Sequence, residues 1–496
     1  MGIIIQQSVK NTIISYLGIA LGFVTTILLF PRILTPDEYG LTRLMVSLAM
    51  ISAQFCQMGM KKVIIRYFPY FDQMKGSRYN LLFLSIVVPL AGFLVFALAF
   101  ILFQSTFIHY FKDQSALFSR YYFYLLPLLL SILFFEVLNN YIRALKDSVT
   151  GSFLNEVVIR AIMIVLLGCF YFGLIDYPAF IILFVLTYSV QPVYILFYLY
   201  SLGELSFSIP FLKDKRQFAK LISVYSIYSL LGGLSTMLVG NIDILMLSSM
   251  TNLKNTAVYF VAFAVTSVIS VPQRSIIKIG FPVLANFLKN KKYAEIALLY
   301  QRTSIVQITF GSLIFVGIWA NMHNLMDLLP AQYQGAKWVI ITIGLAKLFD
   351  MSTGINGGII SNSKYYRFDL YVNIFLVGLS IVTNYLLIPI YGMLGAAIAT
   401  AISIFSYNFI KFLFVWVKFS MQPFHWDALA ILAIAVGCLL LSFQIPYMLN
   451  FFVDVIVRSG IITVLFLGLI LIFNLSEDIK NLLTQSLLRV RTFFKR

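Results

Sequence analysis

Apolar residues in this chain come in long unbroken runs, with polar residues confined to short gaps between them. A bilayer core takes about 20 mostly apolar residues per helix. Runs of that size, closed at charge clusters or at Pro, Gly and Asn breaks, predict fourteen spans: 11–30, 41–60, 81–103, 121–141, 152–172, 180–200, 221–248, 257–277, 304–321, 338–360, 370–388, 393–415, 428–446 and 460–473. The runs are continuous, whereas barrel strands would alternate in segments of about ten residues, so helices are expected. The fold class expected is an all-α polytopic membrane protein. The first run is read as a span and not as a cleaved signal, because a single Lys (Lys10) precedes it and no A-x-A site follows.

Composition agrees. Of 496 residues, 60% are hydrophobic and 11% charged, against roughly 45–50% and about 25% in ordinary globular domains. Mean hydropathy is +0.92. Water cannot solvate such a chain, which excludes a soluble enzyme, a secreted disulfide scaffold, a disordered protein and a nucleic-acid binder. The net charge of +17 would suggest nucleic acid in a soluble protein, but in a membrane protein basic residues gather on cytoplasmic loops. With the N-terminus inside, one set of loops holds 27 Lys and Arg, including Lys61, Arg66, Arg274, Lys278, Arg302, Lys411 and the C-terminal Arg489 to Arg496. The other set holds seven: Arg32, Arg43, Lys112, Arg120, Lys254, Lys337 and Arg458. Arg160 and Lys347 fall in or at the edge of spans. This asymmetry predicts both termini in the cytoplasm. Cys56, Cys169 and Cys438 each sit in an apolar run and are expected to be buried small hydrophobes.

The spans group as six and six: an N-lobe at 1–200, a basic linker at 201–220, a C-lobe at 221–418, two further spans at 428–475, and a basic tail at 476–496. Two repeats with an even number of spans would be related by an axis along the membrane normal. A weak internal match supports this, between Leu34-Thr-Pro-Asp-Glu-Tyr39-Gly40 and Thr251-Asn-Leu-Lys-Asn-Thr-Ala-Val-Tyr259-Phe260, each followed by an apolar run. Gly18-xxx-Gly22 and Gly395-xxx-Ala399 mark close helix contacts. Pro89, Pro127, Pro192 and Pro272, with Gly354, Gly357 and Gly358, mark breaks.

No phosphate-binding G-x-x-x-x-G-K-[ST] loop, H-E-x-x-H or G-x-S-x-G occurs, and the outer loops are too short to carry the catalytic groups of a membrane glycosyltransferase. No cofactor and no metal site is expected. His109, His323 and His425 read as isolated interfacial aromatics. What remains are ionisable groups in or beside spans, each costing a few kcal/mol unless partnered or used. Glu136, Asp243 and Asp350 are the candidate ion-coupling carboxylates. Arg160, Arg274, Lys278 and Lys347 are the candidate cations for an anionic head group, with Arg acting bidentately and Lys as a point charge. The plainer alternatives are that Glu156 pairs with Arg160, that Lys347 pairs with Asp350, and that Arg274 and Lys278 snorkel to the inner interface.

Three stretches carry a family resemblance. They are Phe30-Pro-Arg-Ile-Leu-Thr-Pro-Asp-Glu-Tyr-Gly-Leu41, Asn241-Ile-Asp243 leading to Val258-Tyr259 and Pro272, and Asn384-Tyr-Leu-Leu-Ile-Pro-Ile-Tyr-Gly-Met-Leu-Gly-Ala-Ala-Ile-Ala-Thr400. They resemble polysaccharide (O-antigen-type) flippases of the multidrug/oligosaccharidyl-lipid/polysaccharide (MOP) exporter superfamily, across essentially the whole chain. The resemblance implies a V-shaped pair of six-helix lobes around a central cavity in the cytoplasmic (inner) membrane. It implies translocation of undecaprenyl-diphosphate-linked oligosaccharide by alternating access, coupled to a proton or sodium gradient, for cell-surface polysaccharide synthesis. Its partners would be the lipid-linked oligosaccharide, membrane lipids and other polysaccharide-assembly proteins. The last two spans would offer an apolar surface to the lipid tail, as in related lipid II flippases, which carry more cavity arginines. The rival readings are an organic-cation antiporter of the same superfamily, a glycosyltransferase or polymerase of the sugar pathway, and a non-catalytic scaffold.

Overall fold

The computed structural model describes residues 2–73, 78–112, 116–205, 216–448 and 450–480. Half of the expected linker, the residues Lys75, Lys213 and Lys215, and the basic tail beyond Lys480 lie outside them. The described residues are helical, with no strand among them.

Every predicted apolar run lies on a helix. The first is α1, Gly2–Phe23 running on through a π-helical stretch Val24–Leu29 to Phe30–Ile33. It is followed by α2 (Pro36–Cys56), α3 (Arg78–Leu102), α4 (Leu125–Ala144), α5 (Val149–Tyr171, with a π-helical stretch Leu154–Val158) and α6 (Tyr177–Ser201). Next come α7 (Arg216–Met250), α8 (Leu253–Lys289), α9 (Tyr293–Ala320) and α10 (Ala336–Ser352 with Asn356–Asn362). The last four are α11 (Tyr366–Tyr391), α12 (Met393–Phe419), α13 (Trp426–Ser442) and α14 (Phe451–Ile472). Among the described residues ten stretches are long and apolar enough to cross a membrane, one of them joining α11 to α12. The bent pair of α10, the shorter apolar α13 and the more polar α2 complete the fourteen. The chain is a multi-pass membrane protein.

Start and stop signals explain the ends. Thr35 caps α2 with a reciprocal box to Glu38, and Pro36 fills the first turn, where a missing N–H costs nothing. Asp176 and Asn450 cap α6 and α14 by accepting backbone N–H bonds. The bend of α10 is 52° and falls at Gly354, whose φ of +58° a side chain would resist.

Contacts divide the chain into two compact units, Met1–Phe260 and Val261–Arg496. The division falls inside α8, well beyond the linker at 201–220, so α7 packs with the first unit. Glycine is the local reason. Helix α2 and the start of α8 approach so closely that a Cβ on Gly40 would lie 2.0 Å from the Leu253 carbonyl oxygen. Gly59, at φ +79°, would bring a Cβ within 2.2 Å of the Ser226 carbonyl oxygen of α7. The first unit is centred on α4, whose Leu128, Leu129, Leu133, Val137 and Leu138 are wholly buried against α2 and α6. The two internally matched stretches meet here. Tyr39 and Phe260 rings stand edge to face at 6.2 Å, and Arg43 lies over Phe30, Tyr39 and Phe260 at 4.6–4.9 Å.

In the second unit α9 is central, packed on α8, α10, α13 and α14. Ile308, Val316, Ile431, Ala435, Ile462 and Phe466 form one apolar cluster there. Within α14 a buried ion pair joins Arg458 to Asp454 at 3.0 Å, one turn apart, with the two side chains 2% and 1% exposed. Arg458 also donates to the Ser442 and Pro446 carbonyls. Asp454 accepts from Asn324, and His323 stands 3.1 Å from it. This corrects two readings: Arg458 belongs to a span interior and not to an outer loop, and His323 is a member of a buried cluster. All three cysteines are free; Cys56 and Cys438 are buried, as expected of small hydrophobes, whereas Cys169 is half-buried.

Two stability outcomes follow from this packing. Gly40→Ala should destabilise the protein by about 3 kcal/mol, because backbone and not a flexible side chain must yield; unchanged thermal melting in detergent would refute the close approach. Asp454→Asn, which strands the buried Arg458, should cost about 3–5 kcal/mol, and adding Arg458→Met should recover most of it. The same melting assay checks both.

Candidate polar site in the membrane-spanning helices

Each ionisable residue singled out above has a distinct setting. Those of the first unit are paired. Glu136 of α4 holds Lys61 Nζ at 2.8 Å, and Lys61 lies 3.5 Å from Gln54 Oε1 on α2. Lys61, counted with the loops from sequence, thus faces a carboxylate on a span. Glu156 and Arg160 pair at 2.8 Å across one turn of α5. Arg160 also donates to the Gly18 carbonyl of α1. A Cβ on Gly18 would sit 2.7 Å from Glu156 Oε2, and one on Gly22 3.3 Å from the Arg160 guanidinium. The Gly18-xxx-Gly22 pattern is therefore the slot that admits this ion pair between α1 and α5. Asp243 of α7 is buried and accepts from the Tyr259 hydroxyl of α8 at 2.7 Å.

The second unit gathers the rest on α8, α10, α11 and α12. Asp350 is not paired with Lys347. Its Oδ1 accepts from Asn408 Nδ2 at 2.8 Å and its Oδ2 from Gln273 Nε2 at 3.0 Å. Asn408 Oδ1 in turn accepts from Thr353 at 3.1 Å and Asn356 at 3.4 Å. One carboxylate thus ties α8, α10 and α12 together through amide donors. Lys347 is 9% exposed and lies 4.8 Å from the Phe263 ring, within electrostatic reach of Arg274 and Asp350. Arg274 and Lys278 share an exposed face of α8 and carry no ion pair among the described residues.

Beside them is a cavity of about 350 Å³. Gln273, Ile277 and Phe281 line it from α8 at four-residue spacing, so they share a helix face adjoining that of Arg274 and Lys278. Asp350, Asn356, Gly357 and Gly358 contribute from α10, Asp369 from α11, and Tyr407, Asn408 and Lys411 from α12. The bare backbone of Gly357 leaves room for Lys411, whose Nζ would be 3.3 Å from a Cβ there.

Gln273, Asp369, Tyr407, Asn408 and Lys411 were missed from the sequence. Lys411 was assigned to a cytoplasmic loop, but it is 3% exposed, 2.6 Å from Asp369 Oδ1, bonded to the Tyr407 hydroxyl and 3.9 Å from that ring's centroid. The available signal was its place within the unbroken run Phe409-Ile-Lys-Phe-Leu-Phe-Val415. Arg43 likewise lies within α2 and not in an outer loop.

The Asp369–Lys411 pair should show a coupling of about 2–3 kcal/mol in a double-mutant cycle of Asp369→Asn and Lys411→Met, read by thermal unfolding in nanodiscs. Additive single effects would mean the two charges are solvated separately.

No protein-family model and no curated protein matches the chain. Solved structures do. The inward closed conformation of the lipid II flippase MurJ is similar over 94% of this chain and 100% of that one, with TM-score 0.70 and 12% identity. An inward-facing multidrug resistance MATE family transporter of the MOP superfamily covers 82% of this chain and 94% of its own, with TM-score 0.61 and 16% identity. A MOP superfamily transporter from Pyrococcus furiosus, described by the reverse polarity of its binding pocket, covers 84% and 95%, with TM-score 0.55 and 16% identity. At these identities the likeness concerns architecture: the chain has the all-α polytopic membrane fold seen in MurJ and in MATE transporters.

Proposed function

We propose that this chain is a flippase that carries a polyprenyl-diphosphate-linked oligosaccharide across the cytoplasmic membrane by alternating access, with both termini in the cytoplasm. It would perform transport and no bond chemistry. The observation that carries the reading is the trio Arg274, Lys278 and Lys347. Two exposed cations without an ion partner among the described residues and one buried ammonium stand on helices that also line a polar cavity. A diphosphate leaving water needs such compensation. Arg160 would contribute less, because Glu156 already neutralises it. The fold shared with a lipid II flippase supports the substrate class.

Coupling to an ion gradient would act on Asp350, Asp243 or Glu136. Protonating Asp350 would weaken the bonds from Gln273 and Asn408 that tie three helices. At Asp243 the Tyr259 hydroxyl stands in the same relation, and at Glu136 the Lys61 ammonium. Each is a carboxylate whose charge state alters contacts between helices.

A second reading, ion-coupled antiport of organic cations, is favoured by the lining charge of the cavity, two carboxylates against one ammonium. The MATE likeness fits it too.

The test is leaflet inversion in proteoliposomes. Undecaprenyl-diphosphate-linked oligosaccharide should become accessible in the opposite leaflet, faster with a proton or sodium gradient. Arg274→Ala with Lys278→Ala should slow this at least tenfold while the protein remains folded. An unaffected rate in the double variant would reject the cationic site. Gradient-driven uptake of ethidium with no lipid inversion would favour the antiport reading.

A further inference from the structure

We propose that the cavity between α8, α10, α11 and α12 is a saccharide subsite that seats an uncharged sugar of the lipid-linked head group and disfavours an acidic one. The proposal rests on the flippase reading and deepens it. Its starting point is the chemistry of the wall. Gln273 and Asn356 present planar amides that keep a donor and an acceptor position open, which match paired hydroxyls or acetamido groups, while Asn408, fully engaged by Asp350, Ile404, Thr353 and Asn356, holds the network in place. Tyr407 and Phe281 supply rings on which the apolar face of a pyranose can lie. Ser361 adds a hydroxyl at an exposed position on the rim. A few oriented polar groups among apolar ones is the usual make-up of a small-molecule site, and about 350 Å³ falls at the lower end of its size range.

The same wall argues against a bare cation as the occupant. Both Asp350 oxygens already accept amide N–H bonds, and Asp369 is held by Lys411. Among the described residues no group of three His, Cys, Asp or Glu side chains could hold a metal. It also argues against an acidic sugar. With Lys411 neutralised by Asp369, a uronate entering here would face Asp350 without a free cation on the wall. The cations that are free, Arg274 and Lys278, lie on the neighbouring face of α8, offset by one residue from Gln273 and Ile277. Head group and diphosphate would thus be received by adjacent faces of one helix: sugar on the 273/277/281 face, phosphate on the 274/278 face. The glycines at 354, 357 and 358 keep the α10 wall thin enough for this: a Cβ on Gly358 would come within 2.6 Å of the Phe281 ring.

The experiment measures binding of three probes to the full-length protein in nanodiscs by native mass spectrometry. They are undecaprenyl diphosphate, the same lipid carrying di-N-acetylchitobiose, and the same lipid carrying a disaccharide that ends in a uronic acid. The neutral glycolipid should bind about tenfold tighter than the bare lipid, and the acidic one no tighter than the bare lipid. Gln273→Leu, and independently Ser361→Phe, which fills the mouth without touching the Asp350 network, should each abolish the tenfold preference. Bare-lipid binding should stay unchanged in both, which also reports that they fold. Arg274→Ala with Lys278→Ala should weaken all three probes alike. Equal binding of the three probes by the unaltered protein would overturn the subsite while leaving the diphosphate site standing. So would a sugar preference that survives both Gln273→Leu and Ser361→Phe. Failure of all three probes to bind would overturn the flippase reading and the subsite together.

Discussion

A charge placed in hydrocarbon must find its compensation inside the protein, because lipid offers none. This constraint organises the structure. Lys61 meets Glu136, Arg160 meets Glu156, Lys411 meets Asp369, and Arg458 meets Asp454, each pair within 3.0 Å. Two of the four join different elements, and Arg160 and Arg458 reach further, to backbone carbonyls outside their own helices. In water such pairs would contribute little. Here leaving one member alone is unfavourable, so the two pairs that join different elements, Lys61–Glu136 and Lys411–Asp369, help fix which helices lie side by side.

Packing follows the same economy of space. The glycines at 18 and 22 admit a guanidinium, and Gly40 and Gly59 admit another helix's backbone. Without a strong hydrophobic drive between helices in lipid, such close approaches supply much of the association. They also explain why α7 belongs with the first compact unit although the charged linker precedes it.

Against this background the cations that are not compensated stand out. Arg274 and Lys278 remain exposed on α8, and Lys347 is covered by an aromatic ring instead of a carboxylate. Together with the amide-rich cavity next to them they give the second unit a polar interior.

Hydrophobic runs were enough to specify the solvent and the helical spans, but not their limits: the run at 460–473 lies on a helix that starts at Phe451, and the run at 257–277 on one that extends to Lys289. Hydrophobic runs and breaks such as Gly354 act over a few residues, so they can be read in order along the chain. The sequence by itself also identified which rare charges needed an explanation. Which partners those charges meet depends on how distant segments pack. Glu156 and Arg160 were legible as a pair because they are one turn apart on one helix, whereas Asp350 with Gln273 and Asn408, Asp369 with Lys411, and His323 with Asp454 join residues separated by up to 131 positions. Lys411 and Arg458 were assigned to loops because a basic residue near a span end follows the interfacial pattern whether it snorkels outward or turns inward to a buried partner. That choice depends on the neighbouring helix, whose identity one-dimensional spacing does not carry.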